Sequence, residues 1–323
     1  MAIVKMKKLR LLGLRADRER LPRPLQSLGC VAIREPAIDL SDPEWSALAK
    51  PEGAGLAKAR EDRQTIDAAL ETLRRYAPAK DGLLSPRPTL TEQQLFDDRV
   101  YGEGLAAAWQ IADGERALAA CVAEQAKLQS QKASLEPWVP LDVALETEGD
   151  GTVEILFCSA PSKVEFASLE AAVGQAAQEA QLFPAGSDRE LQYFLLICHN
   201  SALSACTEAM RPFGFSRVTL RGWHGTAADN IRQLDNRIAA LERQAAEHKS
   251  HLAAQGEKRE VLRLCADRAS QEIAREENKA RLIDTDAAFL LEGWVPADKE
   301  GELAQLLGGF TCALETADPA PEE

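Results

Sequence analysis

The sequence predicts an α+β protein: two ferredoxin-like α/β lobes joined by a long antiparallel coiled coil, a dumbbell. Three observations predict it. Ile231, Leu234, Ile238, Leu241, Ala245, Leu252, Leu262, Ala266, Ala269, Ile273 and Ala280 keep one alternating three-and-four spacing, with no proline between Thr226 and Leu282. That is a heptad seam of about eight repeats, roughly 85 Å of helix if unbroken. Two further heptad stretches, 56–77 and 91–136, could face it. Strand-like apolar runs sit at both chain ends and in one internal block.

Composition agrees with long helices. Aromatic residues make up 5% of the 323 and charged residues 28%. The net charge of −13 comes without any basic stripe, which argues against a nucleic-acid partner. No run of 18 apolar residues occurs, so no span of a membrane is expected within these residues. The basic opening, Met1 to Leu14, has no continuous apolar core and no small-residue cleavage site, unlike a signal peptide. The seven cysteines are scattered and include no C-x-x-C, as in a protein with reduced thiols.

In chain order, Lys5 to Leu14 reads as a strand. Asp17 is expected to cap a helix over 18–28, with Gly29 ending it and Pro22 and Pro24 blurring its start. Cys30 to Glu35 reads as a second strand, and Ser41 to Gly55 as irregular. Leu56 to Ala77 is a heptad helix stopped by Pro78, and 78–90 is a proline-containing connector. Thr91 with Gln94 forms a capping-box pattern for the next helix, expected to run to about Glu136. The block 137–222 reads as a self-contained lobe. Its strands are expected at 139–146, 152–158, 190–199 and 215–220, and its helices at 163–181 and 201–211. After the long helix, Ala287 to Pro296 is a strand, 298–307 a helix and 310–314 a last strand. This second β-α-β would complete a four-stranded layer with the first.

The expected domains are therefore a split proximal lobe (1–50 with 284–316), a helical arm (55–136 with 226–283), a distal lobe (137–222) and a disordered tail (317–323). Val261, Leu262, Leu264 and Cys265 make the long helix apolar on more than one stripe, so helix 56–77 is expected to pack there as a third neighbour. Antiparallel pairing is expected to set residue i beside about residue 363 − i.

Several residues carry the family resemblance: the opening Met1-Ala2-Ile3-Val4-Lys5-Met6-Lys7-Lys8-Leu9, the step Leu28-Gly29-Cys30-Val31, and Phe289 to Pro296 with its Glu-Gly-Trp-Val-Pro core. Together they resemble the cytoplasmic N-terminal region of subunit I of V/A-type rotary ATPases, relatives of vacuolar ATPase subunit a. The order of elements fits along the whole chain. The resemblance implies a stator arm without catalysis of its own. It implies peripheral-stalk heterodimers as partners at both lobes, a position at the cytoplasmic face of the membrane, and a C-terminal membrane domain beyond Glu323 that carries proton transport. No arginine of this sequence inherits the proton-translocating role.

The residues themselves offer no catalytic pattern. There is no G-x-x-x-x-G-K-[ST] phosphate loop and no G-x-S-x-G elbow. His248 and His251 share a helix face but lack a third ligand nearby, and a solvated or seam pair is the expectation. Cys198, His199 and Cys206 are expected as strand and core residues rather than ligands, and Gly149-Asp150-Gly151 as a turn. No cofactor and no metal are expected. Trp138 and Trp223 flank the distal lobe and Trp294 ends the terminal strand; they are candidate interface anchors, weighed against plain packing at lobe corners. Gly104, Gly114, His248, Gln255, Gly256 and Arg259 make a candidate flexible zone, where polar seam positions coincide with poor helix formers. The alternative is that the glycines allow close approach and Arg259 snorkels. The competing function is a regulatory small-ligand-binding protein or a generic coiled-coil scaffold, but neither Leu14–Asp17 nor Ala160–Lys163 is the Gly-rich effector loop a ligand-binding protein would favour.

Overall fold

Strand β1, Met6–Leu14, lies at the middle of a sheet assembled from both ends of the chain. The computed structural model describes residues 4–36, 54–79 and 89–320. It divides into two compact units, 1–114 with 252–323, and 115–251.

In the first unit, β2 (Ala32–Arg34), β8 (Ala288–Pro296), β1 and β9 (Cys312–Ala317) form an antiparallel sheet in that order, with β7 (Ile283–Asp284) also on β8. Period-two alternation fixes the register, because a one-residue slip would turn every apolar side chain outward. Leu9 and Leu11 of β1 and Phe289, Leu291 and Val295 of β8 face one way, onto Leu21, Leu25, Leu303 and Leu307. Those last four come from and beside α1 (Pro22–Leu28) and α9 (Glu300–Leu307). On the other face Arg10 donates from Nε (3.0 Å) and Nη2 (2.9 Å) to the buried Glu292 carboxylate directly across the ladder.

Helix α1 starts at Pro22 rather than Arg18. Pro22 occupies its first position, where the missing N–H costs nothing, and a 3₁₀ turn over Arg15–Asp17 precedes it. Asp17 therefore does not cap the helix; its side chain accepts from Arg20 instead. Gly29 ends α1 in the left-handed conformation, φ 70°, as its position suggests. Strand β9 reaches Ala317, so the expected tail begins later than 317, and its last residues lie outside the described ones. The irregular segment from Ser41 and most of the connector 78–90 also lie outside them.

Besides α1 and α9, this unit contains α2 (Ala54–Tyr76), α3 (Glu92–Leu95), the start of α4 (Asp98–Leu135), the end of α7 (Ala227–Ala254), and α8 (Arg259–Ala280). The helix expected to be continuous over 226–282 is broken by a 3₁₀ stretch, Gln255–Lys258. The helix expected from Thr91 is likewise two. The Thr91–Gln94 capping box forms, but the chain turns at Phe96 and Asp97, and Asp97 caps α4 by accepting from the Arg99 N–H at 2.9 Å. Helix α2 runs antiparallel along α8. Arg60 pairs with Glu277, Arg63 donates to the Ala266 carbonyl, and Arg259 donates to the Leu73 carbonyl. Its buried face is Ala59, Ile66, Ala69 and Leu73. Of the residues expected to face this helix, Leu264 is half-buried, whereas Leu262 and Cys265 are fully buried.

In the second unit, β3 (Val153–Pro161), α5 (Phe166–Ala176), β4 (Gln181–Ser187), β5 (Leu191–His199), α6 (Leu203–Met210) and β6 (Ser216–Arg217) follow in sequence. The sheet order is β4-β5-β3-β6, all antiparallel. With the short β7 set aside, both units thus place their first and third sheet strands side by side at the centre. Leu156, Cys158, Phe194 and Leu196 pack under Leu169, Val173, Cys206 and Met210, while Phe157 and Leu195 face Trp138 and the helical base.

Two readings of this unit are corrected. Residues 139–146 form no strand: a 3₁₀ turn, Glu136–Trp138, follows α4, and only an isolated bridge joins Ala144 to Thr226. The helix expected to reach Gln181 ends at Ala176, and β4 follows it unseen. Pro184 and Gly186 hide that strand's signal; they are tolerated because β4 is at the sheet edge.

Within each unit the antiparallel helices keep a register slightly off the expected one. Lys132–Asp235 and Gln125–Glu242 in the second unit, and Asp98–Arg268 with Gly114–Leu252 in the first, set residue i beside about 366 − i. The offset is roughly one helical turn, the smallest slip that leaves the same seam facing inward.

Helix α2 is thus part of the first unit's core. Ile66→Ala and Leu73→Ala should each cost about 2–5 kcal/mol in urea unfolding, as Leu262→Ala should. A cost under about 0.5 kcal/mol for both α2 variants would mean that the helix is not docked.

Candidate functional site

The side chains that chemistry would use are placed here for structure. Among the described residues no group of three or more His, Cys, Asp or Glu could hold a metal ion. Cys198 and Cys206 are buried against each other; burial pushes the Cys198 thiol up to about 11 and raises that of Cys206. A protonated, buried thiol is a poor nucleophile and a poor ligand. His199 accepts from the Ser201 N–H at 3.2 Å and caps the turn into α6. Asp150 accepts the N–H groups of Thr152 and Val153, both at 2.9 Å, and these bonds hold its carboxyl below the usual range. It is a turn residue, as its two glycines suggest. His251 is exposed and His248 half-buried.

The three tryptophans differ. Trp138 is 1% exposed and packs edge-on against Phe157 at 5.2 Å and Tyr193 at 5.3 Å. It fills the base of the second sheet, so it is a core residue and not an exposed anchor. Pro137, just before it, fixes the turn that swings the ring inward. Trp223 is half-buried against the same cluster. Trp294 is half-buried on the outer face of the first sheet, opposite Lys8 and Ala32, with the Arg34 guanidinium 5.9 Å from its ring centroid.

The residues of the candidate flexible zone also separate. A Cβ at Gly104 would collide with the Cys265 side chain, and one at Gly114 would lie 3.1 Å from Leu252, so both glycines let helices approach closely. Gln255 and Gly256 lie in the 3₁₀ break. Arg259 neither snorkels nor weakens the seam. It is 8% exposed, and its Nη2 donates to the carbonyls of Leu73, at 3.2 Å, and of Ala77. The sequence could not show this, because the acceptors are backbone atoms at the end of another helix.

One cluster had no sequence signal beyond the capping box beside it. Phe96, at the turn between α3 and α4, carries the guanidinium of Arg23 at 4.8 Å, Arg275 at 5.2 Å and Arg268 at 5.8 Å from its ring centroid. Arg268 also stacks on Tyr101 at 4.3 Å and is paired by Asp98 and Glu272. Three cations on one ring are held apart from mutual repulsion by these carboxylates and by the ring's negative faces. The ring borders an open cavity of about 470 Å³, lined also by Arg23, Gln26, Thr91, Glu92 and Gln271. In its wall Gln26 donates to Gln271 and Ser27 donates to Glu92.

These features define an α+β protein built on two antiparallel sheets and long helices. Comparison with known proteins narrows the class. No family model matches the chain. It is 23% identical over 350 residues to the A-type ATP synthase subunit I of Methanocaldococcus jannaschii, an alignment covering 99% of this chain and 49% of that protein. The chain thus spans about half the length of the curated relative it matches. Among solved structures, the cytoplasmic N-terminal domain of subunit I, homolog of subunit a, of V-ATPase aligns with 96% of this chain at 16% identity and a TM-score of 0.48. The curated relative carries the resemblance to subunit I along nearly the whole chain in sequence as well as in element order.

The tryptophans give a direct check on which of them is structural. Trp138→Ala should cost about 3–5 kcal/mol in denaturant unfolding, the range for a buried aromatic, and Trp294→Ala less than half of that. Equal costs would contradict the assignment of Trp138 alone to the core.

Proposed function

We propose that the chain is a stator arm of a rotary V/A-type ATPase, without catalysis of its own. It would link peripheral stalks to the membrane-embedded, proton-translocating part, from the cytoplasmic side. The observation that carries this reading is the match of nearly the whole chain to a subunit I at half that subunit's length. The membrane part would be supplied by a C-terminal domain that follows in the full-length protein.

The same reading gives the parts their roles. The two sheets share a strand order, and each would be a ferredoxin-like lobe at one end of a dumbbell. The proximal lobe would be 1–50 with 284–316, the distal lobe 137–222, and the arm 55–136 with 226–283. Each lobe would take a peripheral-stalk heterodimer, with Trp294 and Trp223 as the anchors left accessible. Two modest contacts would add up to firm attachment, since the second is intramolecular once the first is made. The arm would yield around Gly104, Gly114, His248, Gln255 and Gly256. Supporting this is the 3₁₀ break at 255–258.

Titration calorimetry with the purified chain and its cognate peripheral-stalk heterodimer tests the proposal. Binding is expected at both lobes, with no ATP hydrolysis by the chain alone. ATP turnover, or no binding by either lobe, would overturn it.

A further inference from the structure

Helix α2 ends where the long helix breaks. The Ala77 N–H closes the last turn of α2 onto the Leu73 carbonyl at 2.9 Å. That same carbonyl, and the carbonyl of Ala77, accept from Arg259 Nη2. Arg259 is the first residue of α8, immediately after the 3₁₀ stretch Gln255–Lys258. One turn earlier, Gly256 comes so close to α2 that a Cβ on it would lie 3.0 Å from the Ala77 Cβ. A buried cation therefore sits on the negative end of one helix and at the start of another. The two α2 carbonyls are what Nη2 gains in place of water, since a buried guanidinium with unmet donors is strongly unfavourable. Without Arg259, the Ala77 carbonyl would lose this donor and the Leu73 carbonyl would keep only the Ala77 N–H.

We infer that Arg259 and the C-terminus of α2 form a latch on the break in the long helix. Closed, it holds residues 255–258 in their 3₁₀ form and splints the level at which the arm would otherwise yield. Open, it frees the end of α2 and lets 252–259 exchange between helical forms. This inference deepens the yielding-zone reading given under the proposed function and supplies its control element. It stands or falls, however, on residues of this chain alone. Closing depends on α2 reaching Gly256, so anything that pulls on the chain after Ala77 would bear on the latch directly.

Hydrogen exchange with mass spectrometry on the whole chain tests both. In the wild type, amides at 248–259 should exchange faster than those at 231–245; equal protection would contradict the yielding zone and leave the latch standing. Arg259→Met keeps the length and the burial but removes the donors. It should speed exchange at 74–77 and 252–259 by tenfold or more, with residues 57–66 unchanged. No change, or a uniform rise along α2 and α8, would overturn the latch. Gly256→Val keeps Arg259 and pushes on Ala77, and should give the same local pattern. If Arg259→Met fails to fold, this variant decides: protection unchanged at 74–77 overturns the latch.

Discussion

The rest of the structure depends on one constraint: β1 takes its two neighbours from the far end of the chain. Met6 to Leu14 pairs with Ala288 to Pro296 on one side, and Lys8 to Gly13 pairs with Cys312 to Ala317 on the other. A sheet closed this way requires everything between to leave and return, at a loop-closure cost that grows only slowly with the length of that segment. Within each unit, antiparallel helix pairs meet that requirement with local hydrogen bonds. The ladder is reinforced where closure matters most, by the Arg10–Glu292 pair across β1 and β8 and by Lys279, which joins the end of α8 to Glu19 just before α1.

The second constraint is charge. With 51 acidic and 38 basic residues, buried cations have to be matched individually. Arg268 is matched by two carboxylates and two aromatic rings, and Arg259 by the end of a helix. Burying a guanidinium is costly unless its donors are met, so these contacts bind α2, α3, α4 and α8 to one another more specifically than the Ala-rich seams alone would do. The stator reading draws on this, since an arm that transmits force needs helices that cannot slide.

Much of the architecture was legible because it is periodic. The heptad seams, the split β-α-β halves, the Thr91 capping box and the Gly29 stop all follow from spacing or from one residue's backbone preference. What escaped was set by partners distant in sequence. Strand β4 carries a proline and a glycine that only an edge position allows. The break at 255–258 has no helix-stopping proline and coincides with the approach of Ala77 to Gly256. Trp138 reads the same as an exposed anchor until Phe157 and Tyr193 are seen to close around it. Arg259 reads as a weak seam residue until its acceptors on α2 are known.

The dependence of the first sheet on the far end of the chain can be measured directly. In a chain ending at Arg281, hydrogen exchange should be fast throughout 6–14, while 153–161 and 191–199 keep the protection they have in the whole chain. Retained protection at 6–14 would contradict the closure of that sheet by both ends of the sequence.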